Sequence, residues 1–511
     1  MGMARCTLGV AMSLYLGIDI GTSSLKAVMV TGDGQCLAEA TASYRVATPA
    51  PNHREQDPEL WWQALLQACT TLRTMTTADW KSVQGLGLSG QMHGVVLLDE
   101  DKKPLHPAIL WNDGRATDEC TRLTDLIPEI GEITGVPPMP GFAAPKLLWL
   151  KNQARFDLAR AHKLLAPKDY IRARLTGVYA TDMCDASGLQ LLDVRHRKWS
   201  IDIVETCGLR LDQMPDVVEG HETTGHISQE AAQLLQLSEG LPVVAGAGDA
   251  AAAAIGIGAI DEGDAFLSLG TSAQYFVTTE SYRPRPERLI HAFAHGLPRR
   301  WFQMAALLNG ASVAGWAARA LGSNDDEGQL LADLTEQASS AYAGPTDLLF
   351  LPYLTGERTP LNDPNARGVF CGLTPETTKA EMFAAVLEGV AFSLADAQEC
   401  LAQAGTQAPR LLAVGGGTQN AFWMQMISSA LNRPIDLVQS ADRGPAFGAA
   451  RLAQLGHEKG RPADICTKPA VVCTFEPNTA VADRFAERLG GFRALYQALK
   501  AGFATGFKQY A

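Results

Sequence analysis

Three things are scarce in this 511-residue sequence: positive charge, long apolar runs and ordered cysteines. Lys and Arg number 43 against 55 Asp and Glu, giving a net charge of −12 and an isoelectric point near 5.4. That balance argues against nucleic acid or an anionic membrane as the main partner. An anionic ligand would need local help from main-chain N–H groups, a metal ion or a few lysines. The longest apolar run, residues 250–260, is far too short to cross a bilayer and is broken by glycines. The 10 cysteines are scattered, with no CxxC and no Cys/His cluster. A structural zinc site is therefore not expected, and free thiols in a reducing cytoplasm are. The first 17 residues carry one Arg and an apolar stretch that superficially resembles a signal peptide, yet it runs without a cleavage-type break into the first strand. Position 6 is Cys where the myristoylation pattern needs Ser or Thr. Residues 1–12 are read as an extension, with Met12 a plausible initiator. A composition 46% hydrophobic and 19% charged is that of a globular protein, and the length suits two domains of roughly 250 residues.

What the sequence does have begins at residues 16–30, LGIDIGTSSLKAVMV. Apolar residues alternate with small or acidic ones, the chain can turn at Gly21, Thr22, Ser23 and Ser24, and a β-prone run follows. That is a hairpin signal. A turn of Gly, Thr and Ser gathers N–H groups and hydroxyls able to cradle a phosphate, and Asp19 just ahead could hold the phosphate's Mg²⁺. An ordinary hairpin with a solvated Asp would use the same residues. The order recurs at residues 266–272, ending in Gly270, Thr271 and Ser272, with Ser268 where Asp19 stood. Two phosphate-type hairpins nearly half a chain apart suggest two related halves. This arrangement resembles the actin-like ATPase superfamily, whose nucleotide lies in a cleft between two such halves.

Between the hairpins, residues 57–74 have helical spacing, with Leu60, Trp61, Leu65 and Leu66 available for an apolar face. Strand-like runs flank a polar corner at residues 89–94, where Met92 and His93 could meet a ligand or His93 could be a turn histidine. Residues 108–115 form an apolar run ending in polar groups. Trp111 could offer a flat face to a sugar and Asn112 and Asp113 could bond its hydroxyls, or Trp111 could be core and residues 112–114 a turn. Residues 137–141 are too proline-rich for regular structure, and a helix is expected from Lys146. Residues 243–249 read as a strand entering a glycine-rich turn, with Asp249 at or near the start of a helix. As an N-cap it would stabilise that helix; a cap also presents a carboxylate at a cleft rim. Gly256 and Gly258 mark the boundary between halves, and residues 350–360 form an irregular interdomain or lid element. Residues 411–414 read as a buried strand, followed by Gly415, Gly416 and Gly417 entering a helix. They allow close approach to a phosphate or ribose, or make a bare glycine turn. The segment 483–500 reads as an amphipathic helix interrupted at Gly490 and Gly491.

In order along nearly the whole chain, these segments resemble the FGGY family of carbohydrate kinases. Residues 368–388 fit the second family signature throughout, and residues 141–153 fit the first except at Ala143, where Pro, Ser or Thr is usual. Residues 91–94, 110–115 and 353–360 are similar to the versions in members that act on xylulose rather than on glycerol or gluconate. The resemblance implies an α/β, two-domain actin-like ATPase (sugar kinase) fold with the active site in the interdomain cleft. Its domains would be 13–257, on the sugar and phosphate side, and 258–511, on the nucleotide side. It implies Asp249 as the base, Asp19 as the Mg²⁺ partner, and Thr22, Ser23 and Lys26 on the transferred phosphate. Gly270, Thr271 and Ser272 would lie on the other phosphate side, Gly416, Gly417 and Asn420 on the nucleotide, and Met92, His93 and Trp111 on the sugar. The reaction implied is ATP-dependent phosphorylation of a ketose's primary hydroxyl, D-xylulose at O5, in the cytoplasm. Its partners are the sugar and ATP, with no nucleic acid and no membrane, and a homodimer is left open. A kinase for another ketose or a polyol stays open as an alternative, as does a non-catalytic actin-like protein, although the latter has no use for a lone carboxylate at the sugar end. One departure stands out: Ala250 occupies the position where the family commonly has Asn or Gln contacting substrate.

Overall fold

The computed structural model describes residues 13–153, 156–322, 326–439 and 443–506. The proposed extension 1–12 lies outside the described residues. Each half is built on a seven-stranded sheet. The first contains β1 (Leu14–Ile20), β2 (Ser24–Thr31), β3 (Cys36–Ser43), β4 (Val83–Gly90), β5 (Thr223–His226), β6 (Pro242–Val244) and the short β7 (Ala247–Gly248). Its order is β5-β6-β4-β1-β2-β3, with β7 beside β4. The second contains β8 (Ala265–Leu269), β9 (Ala273–Thr279), β10 (His291–Ala294), β11 (Trp301–Leu307), β12 (Leu411–Val414), β13 (Ile435–Val438) and β14 (Val471–Phe475). Its order is β10-β11-β9-β8-β12-β13-β14.

The two orders superpose as β5-β6-β4-β1-β2-β3 on β14-β13-β12-β8-β9-β11. Every direction agrees as well: β1 and β8 pair antiparallel with the strands that follow them and parallel with β4 and β12. The repeated Gly-Thr-Ser turn is thus one visible part of a duplicated fold.

Helix α1 (Pro58–Met75) starts at Asp57, whose side chain accepts the Glu59 N–H, and has Pro at its first position. It buries Trp61, Trp62, Leu65, Ala68, Cys69 and Leu72, whereas Leu60 is 40% exposed and Leu66 half-buried. The apolar stripe is therefore rotated away from Leu60. Helix α2 (Ala143–Lys151) begins earlier than Lys146. Helix α3 (Asp249–Gly256) follows β7, and α4 (Pro445–Glu458) follows β13.

Helix α4 comes from the second half of the chain but rests on the first sheet. A Cβ on Gly17 would lie 1.9 Å from the Ala446 carbonyl oxygen, and one on Gly87 1.9 Å from that of Ala449. A Cβ on Gly448 would meet the Ala252 oxygen of α3 at 1.8 Å. Only glycine permits these backbone contacts. Helix α3 contributes Ala250, Ala251, Ala254 and Ile255 to a core shared with Phe266, Phe276 and Phe302 of the second sheet. At the end of the described chain, Thr479–Thr505 is one continuous helix rather than two pieces broken at Gly490. Its Phe485 and Phe492 rings lie 5.9 and 5.4 Å from Phe392, and this packing outweighs the roughly 1 kcal/mol that each glycine costs inside a helix.

Candidate active site

The carboxyl ends of β1, β4 and β7 converge, which is where open α/β sheets gather ligands. Asp19 pairs in register with Ser89 on β4 and with Lys26 on β2, and Ser89 pairs with Ala247 on β7. Asp19 Oδ1 is buried without a hydrogen-bond partner. Burial, and then the Asp249 charge, push the Asp19 carboxyl up to about 7, against the opposing pull of Ser89 and Lys26. Asp249 is the first residue of α3 rather than its N-cap, which is Gly248. Its Oδ1 accepts the Ala250 N–H at 2.8 Å, and burial pushes the carboxyl up to about 6. Two carboxylates thus sit within each other's field, poised near neutrality.

The first hairpin turn is tied down from several sides. Gly21 N–H donates to Ser24 O at 2.9 Å, and Tyr44 holds it through N–H to Ser23 O (2.9 Å) and OH to Gly21 O (2.6 Å). The Thr22 hydroxyl accepts from Trp111 Nε1 (2.8 Å) and donates to Gln91 Oε1 (3.3 Å), while Gln56 Nε2 donates to Thr22 O (2.8 Å). Ser23 is exposed at the tip. Lys26 pairs with the half-exposed Glu39 at 2.8 Å, a surface ion pair weak enough to exchange for a phosphate. Gln56 escaped the sequence reading, since a lone amide carries no spacing signal, and Gln91 entered it only as part of the 91–94 segment.

At the neighbouring corner, Met92 is buried and would abut a Cβ on Gly248 at 2.5 Å. His93 has φ +69°, a left-handed conformation, and its Nδ1 lies 2.6 Å from Gly188 O. A carbonyl only accepts, so Nδ1 carries the hydrogen and Nε2 is left as an acceptor. Burial holds the imidazole neutral by pushing its pKa down to about 3. Lys146, completely buried and pushed down to about 7 by that burial, donates to His93 O at 3.0 Å.

The 111–113 run divides. Trp111 is 36% exposed and its indole N–H is committed to Thr22, so it is not core. Asn112 is exposed. Asp113 is buried, and both its oxygens are engaged by the Arg115 guanidinium and by the N–H groups of Arg54 and Arg115. A side chain so occupied has nothing left for a sugar hydroxyl, and the turn reading of this segment replaces the sugar-contact reading for Asp113.

Across the cleft, Gly270 N–H donates to Ser272 O at 3.0 Å, leaving Thr271 and Ser272 exposed. The turn lies against the start of the helix Ala311–Leu321 in the second half: Gly310 N–H and the Ser312 hydroxyl donate to Thr271 O at 3.1 and 2.7 Å. A Cβ on Gly310 would meet Ser272 C at 2.4 Å. Beyond β12, Gly415 has φ +97° and residues Gly416–Gln419 form a 3₁₀ turn. Asn420 caps the following helix through Trp423 N–H (3.0 Å) and donates to Thr335 Oγ1 (3.1 Å). Gly416, Gly417, Asn420, Ala311 and Thr335 line one cavity of about 670 Å³, which brings the glycine turn and the second hairpin's helix together. The segment 350–360 is pinned rather than loose: buried Glu357 accepts from Leu308 N–H (2.7 Å) and Asn309 Nδ2 (3.0 Å). Among the described residues no helix is long and apolar enough to cross a membrane.

Comparison with known proteins finds relatives along most of the chain. The models for the N- and C-terminal domains of the FGGY family of carbohydrate kinases match residues 14–256 and 265–456. A xylulose kinase from Escherichia coli (strain K12) is 43% identical over 442 residues, 86% of this chain and 90% of that protein. One from Bacillus subtilis (strain 168) is 35% identical over 450 residues, 87% of this chain and 88% of that protein. Among solved structures, a xyloylose kinase from Brucella ovis is similar with a TM-score of 0.91 at 42% identity, covering 96% of this chain and 99% of that one. A Plasmodium falciparum glycerol kinase with ADP has a TM-score of 0.84 at 20% identity, covering 95% and 98%, and so shares the fold.

Proposed function

Because the chain belongs to the FGGY family of carbohydrate kinases, an ATP-dependent family, we propose that it phosphorylates D-xylulose at O5 to give D-xylulose 5-phosphate. The observation that carries the mechanism is the Asp19–Asp249 pair, on β1 and just after β7 on either side of β4, with neither carboxylate in an ion pair among the described residues and both carboxyls raised by burial. Asp249 accepts the proton of the attacking hydroxyl: its Oδ1 is held by the Ala250 N–H, and its other oxygen makes no hydrogen bond among the described residues. A raised pKa suits a general base, since it increases the drive to take a proton near neutral pH. Asp19, with a buried oxygen that no protein group satisfies, fits the partner of a phosphate-bound Mg²⁺, which when bound neutralises the phosphate oxygens.

Thr22, Ser23 and Lys26 hold the transferred phosphate, and Gly270, Thr271 and Ser272 the phosphates still attached to the nucleoside. Gly416, Gly417 and Asn420 border the nucleotide. Met92 and the neutral His93 hold the sugar, with Trp111 linking that wall to Thr22. Phosphoryl transfer needs mainly positioning and charge neutralisation, which these groups provide. Ala250 is buried among apolar residues and offers no amide, so a different ketose or a polyol is the reading to test against. The domains are 13–257 and 258–511. A cytoplasmic location fits the nine described cysteines, all of them free. A coupled ADP-release assay across ketoses, aldoses and polyols tests the proposal: D-xylulose should give the highest kcat/KM, and better turnover of glycerol, gluconate or ribulose would overturn it.

A further inference from the structure

Five charged side chains that the proposed mechanism does not use are enclosed beside the Met92–His93 corner. Lys168 and Arg172, on the helix Pro167–Thr176, meet Asp169 of the same helix together with Asp182 and Asp185. Lys168 Nζ lies 2.6 Å from Asp169 Oδ1, 2.7 Å from Asp182 Oδ2 and 3.2 Å from Asp185 Oδ2. Arg172 Nη1 lies 2.5 Å from Asp169 Oδ1, and none of the five side chains reaches solvent. Two cations therefore face three carboxylates, and neither Asp185 oxygen has a hydrogen-bond partner among the described residues. Burial works against the Lys168 charge, but the three aspartates more than offset it. Stability alone is a weak reason for such a cluster, because well-packed apolar side chains often serve as well.

What the cluster holds is the acceptor side of the candidate site. Asp182 faces two ways: Oδ2 pairs with Lys168, while Oδ1 caps the helix Met183–Gly188 by accepting the Cys184 and Asp185 N–H groups at 2.8 and 3.0 Å. That helix ends at Gly188, whose carbonyl accepts the His93 Nδ1 hydrogen at 2.6 Å. Met92 is wedged between two glycines. A Cβ on Gly188 would lie 2.6 Å from Met92 Cε, and one on Gly248, next to Asp249, 2.5 Å from Met92 Sδ. Arg172 in turn donates to Ala245 O, in the turn between β6 and β7 that leads to Asp249. The start of the Lys168 helix braces both ends of the corner as well: a Cβ on Gly90 would lie 3.3 Å from Lys168 Cβ, and one on Gly94 2.5 Å from Pro167 Cγ.

We propose that Lys168 and Asp182 are positioning residues for the acceptor sugar, which through the 183–188 helix fix the Met92–His93 wall relative to the Asp249 turn. Neither residue touches the sugar. This deepens the sugar-kinase reading above and rests on it. A misplacement of about 1 Å can cost about 10²-fold in rate, so a rigid brace between the sugar wall and the base has a direct catalytic value.

Two variants decide the matter. Asp182→Asn keeps a side chain able to cap the helix and loses the charge opposite Lys168. The triple variant Lys168→Met, Asp182→Asn, Asp185→Asn removes the whole tether yet leaves Arg172 and Asp169 as a one-to-one pair, so no buried charge is uncompensated. Each is assayed well below its melting temperature for kcat, for KM of the parent's preferred sugar and of ATP, and for the melting shifts that sugar and ATP induce. For the sugar, kcat/KM should fall about 10- to 100-fold and the melting shift should shrink, while KM for ATP and the ATP-induced shift stay at parental values. A merely structural cluster would lower the melting temperature without that split. A kcat/KM within threefold of the parent in the triple variant, or in Asp182→Asn if only that one folds, overturns the proposal, and so does an equal loss toward sugar and ATP. Failure of both variants to fold assigns the cluster to stability and overturns it too. A parent that prefers another sugar refutes the D-xylulose reading alone, and the same assay with that sugar still judges Lys168 and Asp182.

Discussion

Replacing Asp249 with Asn changes a charge and little else, which makes its consequences calculable. Gly248 is the N-cap of the helix, and the side-chain hydrogen bond that Asp249 makes among the described residues, accepting the Ala250 N–H at 2.8 Å, can be kept by an asparagine amide oxygen. Capping stability should therefore barely change. The carboxyl is raised by burial from 3.8 to about 6. For an acid raised on folding, the stability contribution is fully present below the unfolded value and is lost as pH rises through the folded one. At about 1.4 kcal/mol per tenfold in proton affinity, the shift corresponds to a few kcal/mol of destabilisation by the ionised group, and to about 1–3 kcal/mol once the part facing the cleft is screened. The ligand-free Asn variant should therefore melt above the parent at pH 8, with the advantage gone by about pH 4. Its kcat should fall about 10²–10⁴-fold, because the amide cannot take the hydroxyl's proton. Melting curves at the two pH values and the coupled ADP-release assay measure both effects. A kcat within a few-fold of the parent removes Asp249 from the mechanism, and a variant less stable at pH 8 refutes the argument from its buried charge.

Asp19→Ala should cut turnover severely, with no recovery at saturating sugar, because the defect lies in the metal on the phosphates; near-normal activity at ordinary Mg²⁺ would return Asp19 to a strand residue without function. Ala250→Asn introduces an amide next to Asp249, and if it reaches the substrate, selectivity ratios among ketoses should sharpen by about 0.5–1.5 kcal/mol, the contribution typical of one net hydrogen bond. Unchanged ratios would mean that position 250 does not touch the substrate.

The duplicated hairpins were legible because the signal is local: alternation, a Gly-Thr-Ser turn and a β-prone return all fall within about 15 residues. So was the start of α1, where Asp57 and Pro58 form a cap with a known sequence signature. The two readings of Asp113 could not be separated in sequence because a carboxylate near a tryptophan looks the same whether it faces a sugar or Arg115, and the Arg54 N–H that also binds it is remote in sequence. The break expected at Gly490 failed for a related reason: propensity is a weak prior, and the aromatic packing that overrides it is tertiary. His291 could not have been marked from sequence: what singles it out is that neither buried ring nitrogen finds a partner among the described residues, which shows only once every other group has been placed.

The duplication also dictates what can move. Asp19 is the penultimate residue of β1, and Asp249 follows β7, which is hydrogen-bonded to β4 of the same sheet. Both carboxylates, the Thr22 turn and the Met92–His93 corner therefore ride on the first half, and their mutual distances do not depend on how the halves are arranged. The Gly270–Ser272 turn and the cavity at Gly416 ride on the second. On the proposed roles, base, metal carboxylate and acceptor sugar form one rigid unit and the bulk of the nucleotide belongs to the other. Between them lie α3 and α4, in backbone contact at Gly448 and Ala252. Glycine contacts of this kind resist separation but place no side chains in the way of a small rotation. Rotation about them would change the donor–acceptor distance while preserving the geometry of proton removal, which is what a kinase needs if it is to exclude water at the moment of transfer.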